Sequence, residues 1–262
     1  MIELDLSNLQ QQLAQFFWPF VRVGAFFMVI PMFGSRMVAM RVRLMLALAV
    51  TFALLPVLPE VPEYDGLSAA NVGIIVQQLV IGAIMGFAVQ VWFEVFVLGA
   101  QLIATQMGLG FASTSDPANG VSVVILGQYF LMIVMMLFLA TNGHLIMIEV
   151  LAESFKVLPV SGIGIQEDAF LRMARAGTWM FAAATLIALP AVTALLIVNF
   201  AFGIMSRAAP QLNIFAIGFP FTMLMGLIIV WVTMGDGFLG HYYRVAEHTL
   251  LFITDLLITP EA

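Results

Sequence analysis

Five stretches without a charged side chain set the terms for this sequence. Gly66 to Phe93 runs 28 residues, Val95 to Ser115 21, Pro117 to Ile148 32, Ala176 to Ser206 31 and Ala208 to Gly235 28. A helix needs about 20 mostly apolar residues to cross a bilayer. Shorter runs, Leu6 to Val21, Val23 to Ser35 and Leu44 to Pro59, precede them. The first two join into one helix if Arg22 is buried or paired. The expectation is an all-α, multi-pass membrane protein of about six long helices, with a candidate break in the third near Glu94.

Composition agrees. Hydrophobic residues make up 63% of the chain and charged residues 9%, against about 25% charged in a soluble domain. A net charge of -6 argues against a nucleic-acid partner. The absence of cysteine removes disulfides, thiolate metal sites and cysteine nucleophiles. The opening Met1-Ile2-Glu3-Leu4-Asp5 lacks the positive start of a cleaved signal peptide, so the first run is expected to be retained.

Proline, glycine and small polar residues divide the runs. Pro31 and Gly34 close the first helix. Pro56, Pro59 and Pro62 close the second and open an acidic loop at Glu60 to Asp65. Ser113 to Gly120 is the strongest turn, Pro159 to Asp168 a second loop, and Pro210 and Pro220 bracket a third. Arginine bias puts the Arg36–Arg43 loop and Arg207 in the cytoplasm and the N-terminus outside; Arg172 and Arg175 fall outside, against the rule. Several runs exceed what a bilayer needs. Thirty-one helical residues extend about 46 Å, so Pro190 is a candidate kink, and packing on partners outside the bilayer is a second explanation.

No nucleophile, paired-carboxylate or phosphate-binding arrangement is present, so neither an enzyme nor a cofactor is expected. Gly235-Asp236-Gly237-Phe238-Leu239-Gly240 matches a dinucleotide fingerprint by letters but follows a hydrophobic helix rather than a strand; it reads as a break in a helix. His241 and His248 are seven apart, not the four of a zinc protease helix, and no metal is expected. His144, after Asn142-Gly143, reads as a helix-end histidine. Arg22, Glu94, Glu149, Arg207 and Asp236 adjoin or interrupt the apolar runs, and pairing with other charges is the preferred reading over a proton relay. Met132, Met135, Met136 and Met147 suit ordinary apolar packing or a deformable conduit. Gly82-x-x-x-Gly86 and the Ala100, Ala104, Gly108 stripe allow close helix approach, inside this chain or against another subunit.

Three segments carry a family resemblance. The first is Arg22-Val-Gly, Pro31-Met-Phe-Gly and Arg41-Val-Arg-Leu-Met-Leu-Ala-Leu-Ala49. The second is Gly99-Ala-Gln-Leu-Ile, Gln106-Met-Gly-Leu-Gly-Phe-Ala112 and Asp116-Pro117. The third, and most distinctive, runs from Asn199 through Arg207-Ala-Ala-Pro-Gln-Leu-Asn213 to Pro220. Together they resemble the FliR family of type III secretion export-gate proteins, over nearly the whole chain.

The resemblance implies a structural subunit of the flagellar export gate in the bacterial inner membrane, at the flagellar basal body. One copy would join FliP and FliQ, with FlhB docked on that core, in a channel for unfolded flagellar subunits. It implies a FliP-like helical portion over residues 1–165 and a FliQ-like helical hairpin over 166–262. It also implies a channel plug carried here by Met107, Gly108, Leu109, Gly110, Phe111, Ala112, Asp116 and Pro117. Glycines would let that backbone enter a narrow lumen, and Leu109 and Phe111 would supply an apolar stopper. Gly82, Gly86, Ala100, Ala104, Arg207 and Asn213 are the expected subunit-packing residues. The alternatives are an injectisome counterpart and, from another class, a secondary solute transporter working through Glu94 and Glu149.

Overall fold

The computed structural model describes residues 6–34, 38–59, 61–62, 68–109, 125–160, 167–209 and 214–257. All regular structure among them is helical. The helices are α1 (Leu6–Val29), α2 (Pro31–Gly34), α3 (Met40–Leu54), α4 (Ala69–Gln106), α5 (Ile125–Ala140), α6 (Gly143–Val157), α7 (Glu167–Ala208), α8 (Ile214–Thr233) and α9 (Asp236–Leu257), with a 3-10 turn at Leu55–Val57. Three segments, Met40–Val57, Asn71–Gln106 and Asp168–Ala208, are long and apolar enough to cross a membrane, or up to five if the α5–α6 and α8–α9 pairs each count as one bent span. The first helix is diluted by Gln10, Gln11, Gln12, Gln15 and Arg22.

Four expectations change. The third helix does not break at Glu94, because α4 runs unbroken through it; one carboxylate on the open side of a helix removes no backbone hydrogen bond. The apolar run from Pro117 to Ile148 is not one helix. It breaks at Thr141–Asn142, where Asn142 adopts φ 57°, a left-handed conformation that asparagine tolerates better than most residues. Pro220 does not border a loop but lies inside α8. Arg22 lies inside α1 and is met by neutral oxygens rather than by a carboxylate. By contrast, the glycine-rich stretch at Gly235 marks the expected break, between α8 and α9.

The chain divides into two compact units. The first comprises Met1–Val91, Phe138–Ala176 and His248–Ala262. Its core follows from a four-residue spacing on α1: Ala14, Trp18, Arg22 and Phe26 are all buried. That stripe packs where α4 has no side chains. A Cβ on Gly82 would collide with the Arg22 carbonyl oxygen and come within 2.9 Å of the Ala25 Cβ; one on Gly86 would lie 2.8 Å from the Val29 Cβ and 2.9 Å from the Phe26 carbonyl oxygen. The face opened by these two glycines is therefore filled by α1 of the same chain. In the same unit, Arg172 on α7 bridges Asp168 (3.3 Å) and Asp255 on α9 (3.2 Å).

This packing sets up paired outcomes. Gly82→Ala is expected to lower stability by roughly 1–3 kcal/mol, because backbone cannot yield as a side chain can. Gly24→Ala, where a Cβ would meet nothing within 4 Å, is expected to raise it by about 0.5–1 kcal/mol through helix propensity. Thermal melts in mild detergent compare the two; equal effects would contradict the packing account.

The second unit comprises Trp92–Leu137 and Gly177–Glu247. An aromatic cluster joins α4, α5 and α9. Phe238 lies 5.4 Å from Phe96 and 5.6 Å from Phe130, and Tyr242 lies 5.5 Å from Trp92. Gly99 lets α7 approach, its missing Cβ standing 3.2 Å from the Ala184 carbonyl oxygen. Near their connection α7 and α8 lie side by side, with Phe202 and Phe221 rings 5.2 Å apart.

Candidate functional site

The end of α4 is built as a fixed mounting. A helix leaves its last four carbonyls without intrahelical partners unless a cap supplies them. Here all four are met. Met107 N–H donates to Ile103 O (3.0 Å), Leu109 N–H to Ala104 O (3.1 Å) and Gly108 N–H to Thr105 O (3.1 Å). The Asn199 amide of α7 donates to Gln106 O at 3.1 Å. The 6→1 and 5→2 bonds around Gly108 are the Schellman pattern, and Gly108 has the φ of 80° that this pattern requires.

One residue further, Met107 is fully buried. Its side chain occupies the space left by Gly226 of α8, where a Cβ would collide with the Met107 Cγ. Thr222 Oγ1 stands 3.5 Å from the Met107 carbonyl oxygen and donates to Phe219 O at 3.0 Å. Helix α8 thus holds Met107, at which the chain leaves α4, and α7 holds the Gln106 carbonyl just before it.

The residues expected to form a plug separate into groups. Met107 is an anchor and Gly108 a helix cap. Leu109 is half-buried in the turn. Gly110, Phe111, Ala112, Asp116 and Pro117 lie outside the described residues, as does Asn213. Of the expected packing residues, Gly82 and Gly86 face α1, and Ala100 and Ala104 are buried within the chain. Arg207 is exposed at the end of α7.

The first unit holds a fully buried cation. Arg22 donates from Nε to Gln78 Oε1 (2.7 Å), from Nη1 to Ser154 O (2.9 Å) and Ser154 Oγ (3.1 Å), and from Nη2 to Leu158 O (2.7 Å). Its guanidinium carbon lies 4.0 Å from the Phe155 ring centroid. Ser154 and Leu158 mark the C-terminal end of α6, where the helix dipole is negative; the Ser154 carbonyl accepts the Leu158 N–H at 2.9 Å as well as the Arg22 bond. The charge is thus balanced by a helix end and an aromatic face. Sequence reasoning singles out Arg22 but not Gln78, Ser154 or Phe155, all of them far along the chain. It likewise misses Thr222 and Gly226 as the holders of Met107.

Comparison with known proteins defines the class first. A family model described as bacterial export proteins, family 1, matches residues 13–248. The relatives are more specific. The chain is 36% identical to the flagellar biosynthetic protein FliR of Pectobacterium carotovorum subsp. carotovorum, over 98% of this chain and 96% of that protein. It is 37% identical to FliR of Escherichia coli K12, over 89% of each. It is 26% identical to FliR of Bacillus subtilis 168, over 82% of this chain and 84% of the relative. The chain belongs to the FliR family of bacterial export proteins, as a membrane-embedded export component.

Proposed function

We propose that this chain is the FliR subunit of the flagellar type III export gate, assembling in one copy with FliP and FliQ into a channel for unfolded flagellar subunits across the bacterial inner membrane. FlhB docks on that core at the flagellar basal body. The observation that carries this reading is the near full-length match to FliR proteins at 36% and 37% identity.

Surface chemistry supports it. Phe52, Phe200 and Trp231 are 73%, 72% and 78% exposed; such a surface needs lipid or apolar subunits to cover it. On this reading residues 1–165 are a FliP-like portion and 166–262 a FliQ-like hairpin, in which α7 and α8 are the two arms. The loop that starts at Met107 is the channel plug, and the bonded end of α4 is the base from which it works. No enzymatic step is assigned, and the energy for export comes from outside this chain.

Co-expression with the neighbouring membrane genes, extraction in mild detergent and native mass spectrometry test the proposal. The expected result is one copy of the tagged chain in a large hetero-oligomer with two smaller membrane proteins. A stable lone chain or small homo-oligomer would sink it and turn attention to solute transport.

A further inference from the structure

Helix α4 carries one charged residue, Glu94. Around it Trp92, Phe93, Val95, Phe96 and Val97 are all at most 9% exposed, whereas Glu94 is exposed. In this stretch the helix is enclosed by its own chain except along the line on which Glu94 stands. At 3.6 residues per turn, Leu98, Gln101 and Thr105 fall within about 60° of the same line. Leu98 and Gln101 are half-buried and Thr105 is exposed.

From Glu94 to Thr105 the open sector is therefore polar in three of four positions, the reverse of a lipid-facing surface, whereas the same line before Glu94 exposes Val76 and Phe87. Elsewhere in this unit the exposed side chains include Ile197, Phe200, Leu224 and Trp231. Among the described residues no cation lies within ion-pair distance of Glu94. Beside this sector α5 closes on α4, the missing Cβ of Gly127 standing 3.5 Å from Val97 Cγ1 and 3.7 Å from Gln101 Cγ.

We propose that the Glu94–Gln101–Thr105 line of α4 docks a transmembrane helix of another gate subunit that presents a lysine or arginine to Glu94. This rests on the export-gate reading. A carboxylate within an apolar span faces a partner or a cavity at low cost and lipid at high cost. An opposite charge on a neighbouring helix pairs it and fixes the register of the two helices. The Gln101 amide beside it can hydrogen-bond across the same interface.

Co-expression of the whole gate with Glu94→Gln, Glu94→Asp and Glu94→Lys tests the pairing. Native mass spectrometry reads the ratio of assembled to free chain. Glu94→Gln is expected to lower that ratio by roughly tenfold, and Glu94→Lys to abolish assembly. Glu94→Asp, which keeps the charge, is expected to retain most of it. Assembly by Glu94→Gln at the wild-type ratio overturns the proposal. So does an assembled Glu94→Gln gate whose only change is ion conductance, because Glu94 would then face water. The chain lacks cysteine, so Glu94→Cys gives a second readout. It is expected to react with maleimide in the free chain and be protected in the reduced fraction that still assembles; labelling of that assembled fraction by a membrane-impermeant maleimide overturns the proposal. Failure of the wild-type chain to join any hetero-oligomer would instead strike the export-gate reading itself.

Discussion

Replacing Arg22 with alanine is expected to destabilise the chain by on the order of 3–5 kcal/mol. The side chain is fully buried. Its removal leaves Gln78 Oε1 and the Leu158 carbonyl without their donor in a dry interior, each such group costing about 1–3 kcal/mol, while Ser154 Oγ keeps its bond to the Leu151 carbonyl. A gap also opens against Phe155. Arg22→Leu restores apolar volume but supplies no donor, so it is expected to recover little. Arg22→Lys keeps a charge at the negative end of α6, yet one ammonium cannot span Gln78, Ser154 and Leu158 as a planar guanidinium does. An intermediate loss is expected. Gln78→Leu, which frees only the Nε donor, should cost about 1–3 kcal/mol. Thermal melts of the co-purified complex and the level of the chain in the membrane give the order. An Arg22→Ala protein that melts with the wild type would refute the account.

Arg22 also shows how far a sequence can be read. Its place every fourth residue with Ala14, Trp18 and Phe26 is visible as spacing, but Leu13, Phe17 and Val21 share that spacing and Leu13 and Phe17 are exposed, so spacing alone does not select the buried row. Its partners are not visible. Glutamine, serine and a backbone carbonyl more than fifty positions away carry no local signal that they will meet a cation. A preference for charge pairing therefore points at the wrong chemistry. The break at Thr141–Asn142 is the opposite case. Asn-Gly is a strong turn signal, yet the surrounding apolar run masks it, and beside His144 it reads only as a helix end. Glu94 is easily overread as a break because charge in an apolar run draws attention, although a lone glutamate is a good helix former.

The long helices, the breaks at Pro31 and Pro56 and the turn at Gly235 are legible because proline, glycine and hydrophobic length act locally. The mounting of Met107 is not. It depends on Gly226 and Thr222 of α8 and on Asn199 of α7, which come together with α4 only through tertiary packing. The one trace of it in the sequence is the family resemblance itself, whose segments contain both Asn199 and Gln106-Met107-Gly108.

That mounting decides what removal of the proposed plug should do. Deletion of Leu109 to Ala112 is expected to leave assembly intact and to make the gate leak ions. The carbonyls of Ile103, Thr105 and Gln106 keep their donors, because Met107, Gly108 and Asn199 are untouched; only the Leu109 N–H to Ala104 O bond must be replaced by the residue that follows. Met107 stays seated against Gly226. On the proposed reading what is lost is the apolar stopper, and a hydrophobic constriction that no longer closes stops excluding water and ions. The companion change, Gly108→Val, attacks the mounting instead. A β-branched residue at φ 80° is strained by on the order of 1–3 kcal/mol, so this variant is expected to lower the yield of assembled gate. Conductance of the purified gate in planar bilayers and its recovery by native mass spectrometry separate the two effects. A deletion variant that assembles and remains tight to ions would show that the stopper lies elsewhere. A deletion variant that fails to assemble would show that the loop belongs to the mounting rather than resting on it.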